Sequence, residues 1–278
     1  MIVPVQGAEL FCSAHGTGTV GPAGPACLFL SAVGTRHYEL QTPPELSDRF
    51  RLVYVDLRGS GQSTGEPADL TFDLLAEDLE AVRRALGVER IAVLGHSILS
   101  VLAIEYGRRR PGSVSHVITA GAPPYGDMAR VSAEAMAFFE QHASEERKQI
   151  LRENLAGLTA DAPLKQHLVA QGPMRFFDPR FDAAPLFEAM VPRPQLVMHV
   201  MGKLAAGWDV TADPGSLRVP LFLAHGRHDY VVPYVLWEGI RLPNATFELF
   251  ERSGHQPFFE EPGRFAETVA SWFAKQTG

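Results

Sequence analysis

The stretch that most restricts how this chain can fold is Ile91-Ala92-Val93-Leu94-Gly95-His96-Ser97-Ile98-Leu99-Ser100-Val101-Leu102-Ala103-Ile104-Glu105. A continuous apolar run reaches a Gly-x-Ser, and apolar residues then recur at helical spacing. The pattern reads as a buried strand, a sharp turn and a helix. Ser97 falls at the apex, its hydroxyl held above the end of the sheet. The helix beginning there aims free backbone N–H groups at whatever binds. Gly95 is required because a side chain two residues before the apex collides with the turn. Position 99 departs from the usual G-x-S-x-G, since Leu99 stands where a glycine lets helix and strand pack closely. It demands a displaced neighbour or a reshaped pocket floor.

Around this stretch strands and helices alternate. Apolar runs predict strands at 2–6, 8–14, 26–30, 50–55, 91–94 and 115–121, with a loop rich in Gly and Pro over 16–25. Helices are expected near 38–47, interrupted by Pro43-Pro44, and over 71–87. The second has Thr71 as N-cap, apolar residues at 75, 79, 82 and 86, and Gly87 to stop it. From 122 to 214 no convincing buried strand occurs, only helical stretches at 132–142, 144–155 and 185–190, rich in Met, Phe, Trp and His. The rhythm resumes with a strand opening at 219, a helix at 235–241, a strand at 246–250 and an amphipathic helix at 262–275. Such alternation indicates a mostly parallel, doubly wound α/β sheet covered on both faces. The expected organisation is a core of 1–121 and 214–278 with an inserted helical cap subdomain, 122–213.

Composition narrows the partners. The 278 residues are 46% hydrophobic and 21% charged, as for a globular protein with a sizeable core. A formal charge of −7 argues against a nucleic-acid partner. Arg108-Arg109-Arg110 is expected to complement a helix dipole and face water. Asp56 and Arg58, in a glycine-containing turn, are expected to lock that loop as a pair. Cys12 and Cys27 fall in apolar runs and read as buried thiols, with a single bridge left open. Neither a signal peptide nor a membrane span is expected, so the expected location is cytoplasmic.

Three chemistry-bearing residues fall at equivalent places. Ser97, Asp229 and His255 each follow a strand, on the edge where parallel strands end, in the order Ser…Asp…His. A serine hydroxyl is a poor nucleophile at neutral pH and needs a base to take its proton. His255 supplies one, an imidazole being the side chain suited to taking and giving a proton at physiological pH. Asp229 would orient the imidazole and stabilise it once protonated. His96, His225 and His228 read as packing or hydrogen-bonding residues. Their spacing matches no zinc site, and neither metal nor cofactor is expected.

The chain resembles the α/β-hydrolase superfamily. The resemblance rests on Asp56-x-Arg58-Gly59-x-Gly61-x-Ser63, Gly95-His96-Ser97, Gly226-Arg227-His228-Asp229-x-x-Val232-Pro233 and Gly254-His255-x-Pro257-x-x-Glu260-x-Pro262. These motifs cover the core from about 8 to 275, and the details lean towards proline iminopeptidase-like enzymes and related esterases. Members usually carry His-Gly-Gly-Pro-Gly after the third strand, where this chain has Ser31-Ala32-Val33-Gly34-Thr35. An oxyanion hole uses backbone N–H groups, and the resemblance assigns it to the amides of Ile98 and Val33. Arg36, His37, Tyr38, Leu99, Tyr125, Trp208 and Tyr230 are the candidate pocket residues.

The function so implied is a serine hydrolase that cleaves a small or medium, largely apolar ester, thioester or lactone through an acyl-enzyme on Ser97. An aminopeptidase or amidase, or a carbon–carbon bond hydrolase, is the alternative on the same fold. An aminopeptidase needs carboxylates in the cap for a free amine, and Glu134, Glu140, Glu145, Glu146, Glu153 and Glu188 are available. A ligand-binding receptor or degenerate hydrolase is the alternative of another class. The expected partner is a small-molecule substrate, on a monomer or homodimer.

Overall fold

Continuous apolar runs become the central strands of this sheet, because a strand covered on both faces has no solvent side to carry polar residues. The computed structural model describes residues 1–15, 25–159 and 161–276, so most of the expected 16–25 loop lies outside the described residues. The chain begins with β1 (Ile2–Val5), β2 (Ala8–His15), β3 (Ala26–Ser31), α1 (Thr35–Gln41), α2 (Pro44–Ser47) and β4 (Arg51–Asp56). Next come α3 (Phe72–Ala85), β5 (Ile91–His96), α4 (Leu99–Arg109) and β6 (Val114–Ala120). A helical segment follows: α5 (Met128–His142), α6 (Glu145–Ala156), α7 (Leu164–Ala170), α8 (Gly172–Arg175), α9 (Ala184–Glu188) and α10 (Pro194–His199). The chain then returns through β7 (Leu221–Gly226), β8 (Ala245–Phe250), α11 (Pro257–Glu260) and α12 (Pro262–Gln276).

The described strands form one sheet in the order β1-β2-β4-β3-β5-β6-β7-β8, parallel except for the two pairings that involve β2. Every residue of β3, β5 and β7 is buried. Winding reverses at β3, whose neighbours are β4 and β5. Such a reversal opens a crevice at the carboxyl ends of the strands. The loop after β3 and the turn after β5 stand at that crevice.

Local chemistry sets the element ends. Thr71 caps α3 by accepting from the Leu74 amide at 3.1 Å, and Leu75, Leu79 and Val82 turn into the core. Pro44, which has no N–H to donate, ends the α1 direction and starts α2 in its first turn. The helix expected at 235–241 is only the 3₁₀ turn Tyr234–Trp237, because Gly239 takes φ 82° and leads the chain away.

Two polar expectations are corrected. Arg58 does not pair with Asp56. It forks onto Asp78 of α3 at 2.7 and 3.0 Å, both side chains buried, while Asp56 accepts from the Gln62 amide at 3.0 Å. The lock therefore joins the loop to a helix instead of closing it on itself. Arg108 does not simply face water. It pairs with Glu105 at 2.8 Å and donates to the Val210 carbonyl at 2.9 Å, tying α4 to the returning chain. Cys12 and Cys27 are free and buried. No described helix is long and apolar enough to cross a membrane.

The helical segment lies over the carboxyl edge and is fastened there through backbone groups. The His255 amide donates to the Arg175 carbonyl at 2.6 Å, Tyr230 N to Met174 O at 3.0 Å, and Val191 N to Val33 O at 2.7 Å.

Candidate active site

Ser97 is the one described non-glycine residue with positive φ, at 55°. An L-residue in that region costs roughly 1–2 kcal/mol, so its surroundings must hold it. Its N–H donates to Ala120 O at 2.8 Å, and its carbonyl accepts from Ser100 N at 2.9 Å. A Cβ on Gly95 would stand 2.5 Å from the Leu99 carbonyl oxygen, so the turn closes only over glycine there. Leu99 is buried and borders the cavity in front of Ser97, so its extra bulk becomes pocket wall.

Asp229 is fully buried and its carboxylate is saturated. Oδ1 accepts from the amides of Val231 and Val232, each at 2.8 Å. Oδ2 accepts from His255 Nδ1 at 2.8 Å. A carboxylate only accepts, so Nδ1 carries the proton and Nε2 presents a lone pair. Nε2 is buried and has no hydrogen-bond partner among the described residues. Gly121 makes room for the ring, since a Cβ there would lie 2.7 Å from Nδ1.

His96 fixes the same loop from below. Its Nε2 must donate to the His255 carbonyl, 3.1 Å away, which leaves Nδ1 to accept from the Tyr38 hydroxyl at 3.2 Å. Burial, then the neighbouring His255, pulls its pKa well below the ordinary imidazole value, so it is neutral at physiological pH. His225 is also buried, is pulled down to about 4 by desolvation, and stacks on Phe247. His228 packs its ring edge-to-face on Phe177. Among the described residues no cluster of His, Cys, Asp and Glu is arranged to hold a metal ion.

Ser97 and His255 line one cavity of about 310 Å³ between the sheet edge and the helical segment. Val33 and Ile98 border it as well. The Ile98 amide has no hydrogen bond among the described residues, and the Val33 amide makes only a long one, 3.3 Å, to Ser31 Oγ. His37, Tyr38 and Leu99 line this cavity; Arg36, Tyr125, Trp208 and Tyr230 do not. Arg36 points to solvent beside Glu39, one step round α1 from His37. The Tyr125 hydroxyl is taken by Glu134 and the Trp208 indole N–H by Glu105, at 2.7 and 2.8 Å. Tyr230 packs edge-on against Phe139 inside the helical segment. None of the six helical glutamates borders the cavity.

Sequence reasoning missed Arg175, Gln171 and Gln256, which do border it. Arg175 sits in a four-residue helix, too short to show periodicity, while Gln256 was discoverable as the neighbour of His255. A larger groove of about 900 Å³ runs between α6, α7 and α9, and neither Ser97, Asp229 nor His255 reaches it.

A family model described as the alpha/beta hydrolase fold matches residues 27–262. The chain belongs to the alpha/beta hydrolase family. Among curated hydrolases, it is 28% identical over 263 residues to the AB hydrolase superfamily protein YclE of Bacillus subtilis, covering 91% of this chain and 92% of that one. It is 26% identical over 231 residues to the pimeloyl-[acyl-carrier protein] methyl ester esterase of Nitrosomonas europaea, covering 79% and 84%. Among solved hydrolase structures, a proline iminopeptidase-related protein of Thermus thermophilus superposes with a TM-score of 0.71 at 25% identity, covering 99% and 96%.

Proposed function

We propose that this alpha/beta hydrolase is a serine esterase acting on a small or medium acyl ester, thioester or lactone through an acyl-enzyme on Ser97. The observation that carries the reading is the unoccupied Nε2 of His255, its Nδ1 proton held by Asp229, in the same cavity as the strained Ser97. His255 Nε2 accepts the Ser97 proton as Oγ adds to the acyl carbonyl. The amides of Ile98 and Val33 receive the developing oxyanion, where one donor is worth roughly two to three orders of magnitude in rate. The proton passes to the leaving alcohol or thiol as its bond to the acyl carbon breaks. His255 then deprotonates a water that attacks the ester on Ser97, and the acid leaves with Ser97 restored. Asp229 stabilises the imidazolium formed in each half. Residues 122–213 serve as a cap that excludes bulk water and surrounds the acyl chain with apolar side chains.

The relative named as a methyl ester esterase supports ester chemistry. An aminopeptidase reading is disfavoured, because the cavity presents the cation of Arg175 and no glutamate to a substrate ammonium. Labelling with a fluorophosphonate, read by intact mass, tests the reading. One adduct on the wild type and none on Ser97→Ala is expected. A folded wild type that takes up no adduct would sink it.

A further inference from the structure

Among the described residues, several arginines set into the fold are paired with care. Arg58 has Asp78, Arg83 has Glu80 and Arg108 has Glu105. Arg147 has no acid, but three carbonyls, those of Pro173, Phe176 and Phe177, accept its protons. Arg175 has neither arrangement. Its guanidinium makes one hydrogen bond among the described residues, to Gln171 Oε1 at 3.2 Å, and no ion pair. Its Nε is buried without a partner.

The group borders the cavity of Ser97 and His255, and its field reaches His37, Tyr38 and His96, which line the same cavity. Those neighbours cannot neutralise it. Burial pulls the His37 imidazole down to about 4 and His96 well below its ordinary value, and pushes the Tyr38 phenol up, so all three are neutral near pH 7. Asp229 attracts Arg175 at longer range, but its oxygens are already committed to two amides and His255. Burial lowers Arg175 itself only to about 10, which leaves it cationic. A guanidinium held without a counter-ion, in a cavity whose lining carries no carboxylate, forgoes the charge-assisted, bidentate bonds it is shaped to make. Gln256, nearly fully buried, lines the same cavity with an unpartnered Oε1, and its amide turned over would offer an N–H to an anion there.

We propose that Arg175 is a specificity residue that receives a free carboxylate on the substrate, so that this site prefers esters carrying an acid group at the far end of an apolar acyl chain. This rests on the serine esterase reading and names its substrate class. Apolar side chains of the lining, among them Leu99, Leu168, Met190, Val200 and Val232, suit the methylenes between the two ends. Binding retires the lone cation and the substrate carboxylate together, and it anchors the chain with its ester towards Ser97.

The test uses the full chain with monomethyl esters of straight dicarboxylic acids, from succinate to suberate, each against the methyl ester of the monoacid of equal length. The wild type should prefer the half-ester by about tenfold or more in kcat/KM, chiefly through KM, as expected for a hydrogen bond to a charged group. Arg175→Met should bring that ratio close to one, and Arg175→Lys should restore part of it. Thermal melts establish that each variant is folded. A second arm measures half-ester binding to Ser97→Ala by calorimetry, which the added Arg175→Met change should weaken about tenfold or more. Equal rates on both ester classes, or a ratio untouched by Arg175→Met, would overturn the proposal while leaving the esterase reading intact. Half-ester binding that depends on Arg175 without any wild-type turnover would do the reverse.

Discussion

Around Asp229 and His255, at the carboxyl edge of the sheet, most polar groups are closed on one another, whereas in the helical segment above them the Arg175 guanidinium is left largely open. Asp229 accepts three hydrogen bonds, His255 is held through Nδ1, N–H and C=O, and His96 bridges Tyr38 to the His255 carbonyl. Nε2 of His255, the atom proposed to accept the serine proton, is left without a partner among the described residues. Arg175, facing the same cavity, has a single acceptor. On the proposed reading, the difference separates the part preorganised for a reaction step from the part kept for the ligand. Groups that must not move during proton transfer are fixed by the fold, at no cost of reorganisation. A group that recognises a substrate is unfinished until the substrate arrives.

The sharpest way to break the comparison is to remove the proposed nucleophile. Ser97→Ala should lower kcat by about 10⁶-fold on the best ester, in a steady-state assay, with substrate binding retained. Ser97→Gly should be as inactive but more stable than Ser97→Ala by about 1 kcal/mol in urea titrations, because glycine takes φ 55° without strain. Next in size is Asp229→Asn. Loss of the saturated carboxylate should cut kcat about 10⁴-fold, and a drop of less than tenfold would mean that the imidazole is oriented by something else.

Gly95→Ala strikes the turn itself, since its Cβ meets the Leu99 carbonyl at 2.5 Å. A stability loss of about 2 kcal/mol is expected from denaturant curves, with reduced labelling of Ser97.

Glu260 joins the two regions, accepting from Phe177 N at 2.6 Å and from Gly254 N at 2.7 Å. Burial raises its pKa to about 7, above the ordinary 4.5. The folded protein then holds this proton more tightly than the unfolded chain, so the stabilisation it brings is complete below about 4.5 and is lost as pH rises towards 7. Glu260→Gln should remove that part of the slope. The melting temperature of the variant, compared with wild type, should therefore climb between pH 5 and pH 8. Asp56, raised to about 6 by burial, acts in the same sense and is unchanged in both proteins. The smallest effect is expected for Arg36→Ala, whose side chain lies in solvent outside the cavity. Its kcat/KM should stay within about threefold of wild type, and a larger change would place that helix face in contact with substrate.

The fold was legible where the chain is locally patterned. Apolar runs marked the central strands, Thr71 marked the start of α3, and Gly95-His96-Ser97 marked the turn. Ser97, Asp229 and His255 were findable because each lies in the turn or loop that follows a strand, and the parallel order of the sheet brings those ends to one edge. The partner of Arg58 was not findable that way. Asp56 is the nearer acid in sequence, but Asp78, twenty residues on, is the one α3 brings within reach. Tyr125 and Trp208 were equally plausible pocket aromatics until Glu134 and Glu105 claimed their polar atoms.

By itself, then, the amino-acid order determined the doubly wound sheet, the turn at Ser97 and the edge on which Ser97, Asp229 and His255 stand. Those features depend on backbone preference and on the two periodicities of strand and helix, which neighbouring residues encode. Only the tertiary structure decided which way Arg36 and His37 face, which carboxylate each arginine takes and that Arg175 takes none. A polar side chain pairs with what the folded chain carries to within about 3 Å, and sequence distance says little about that.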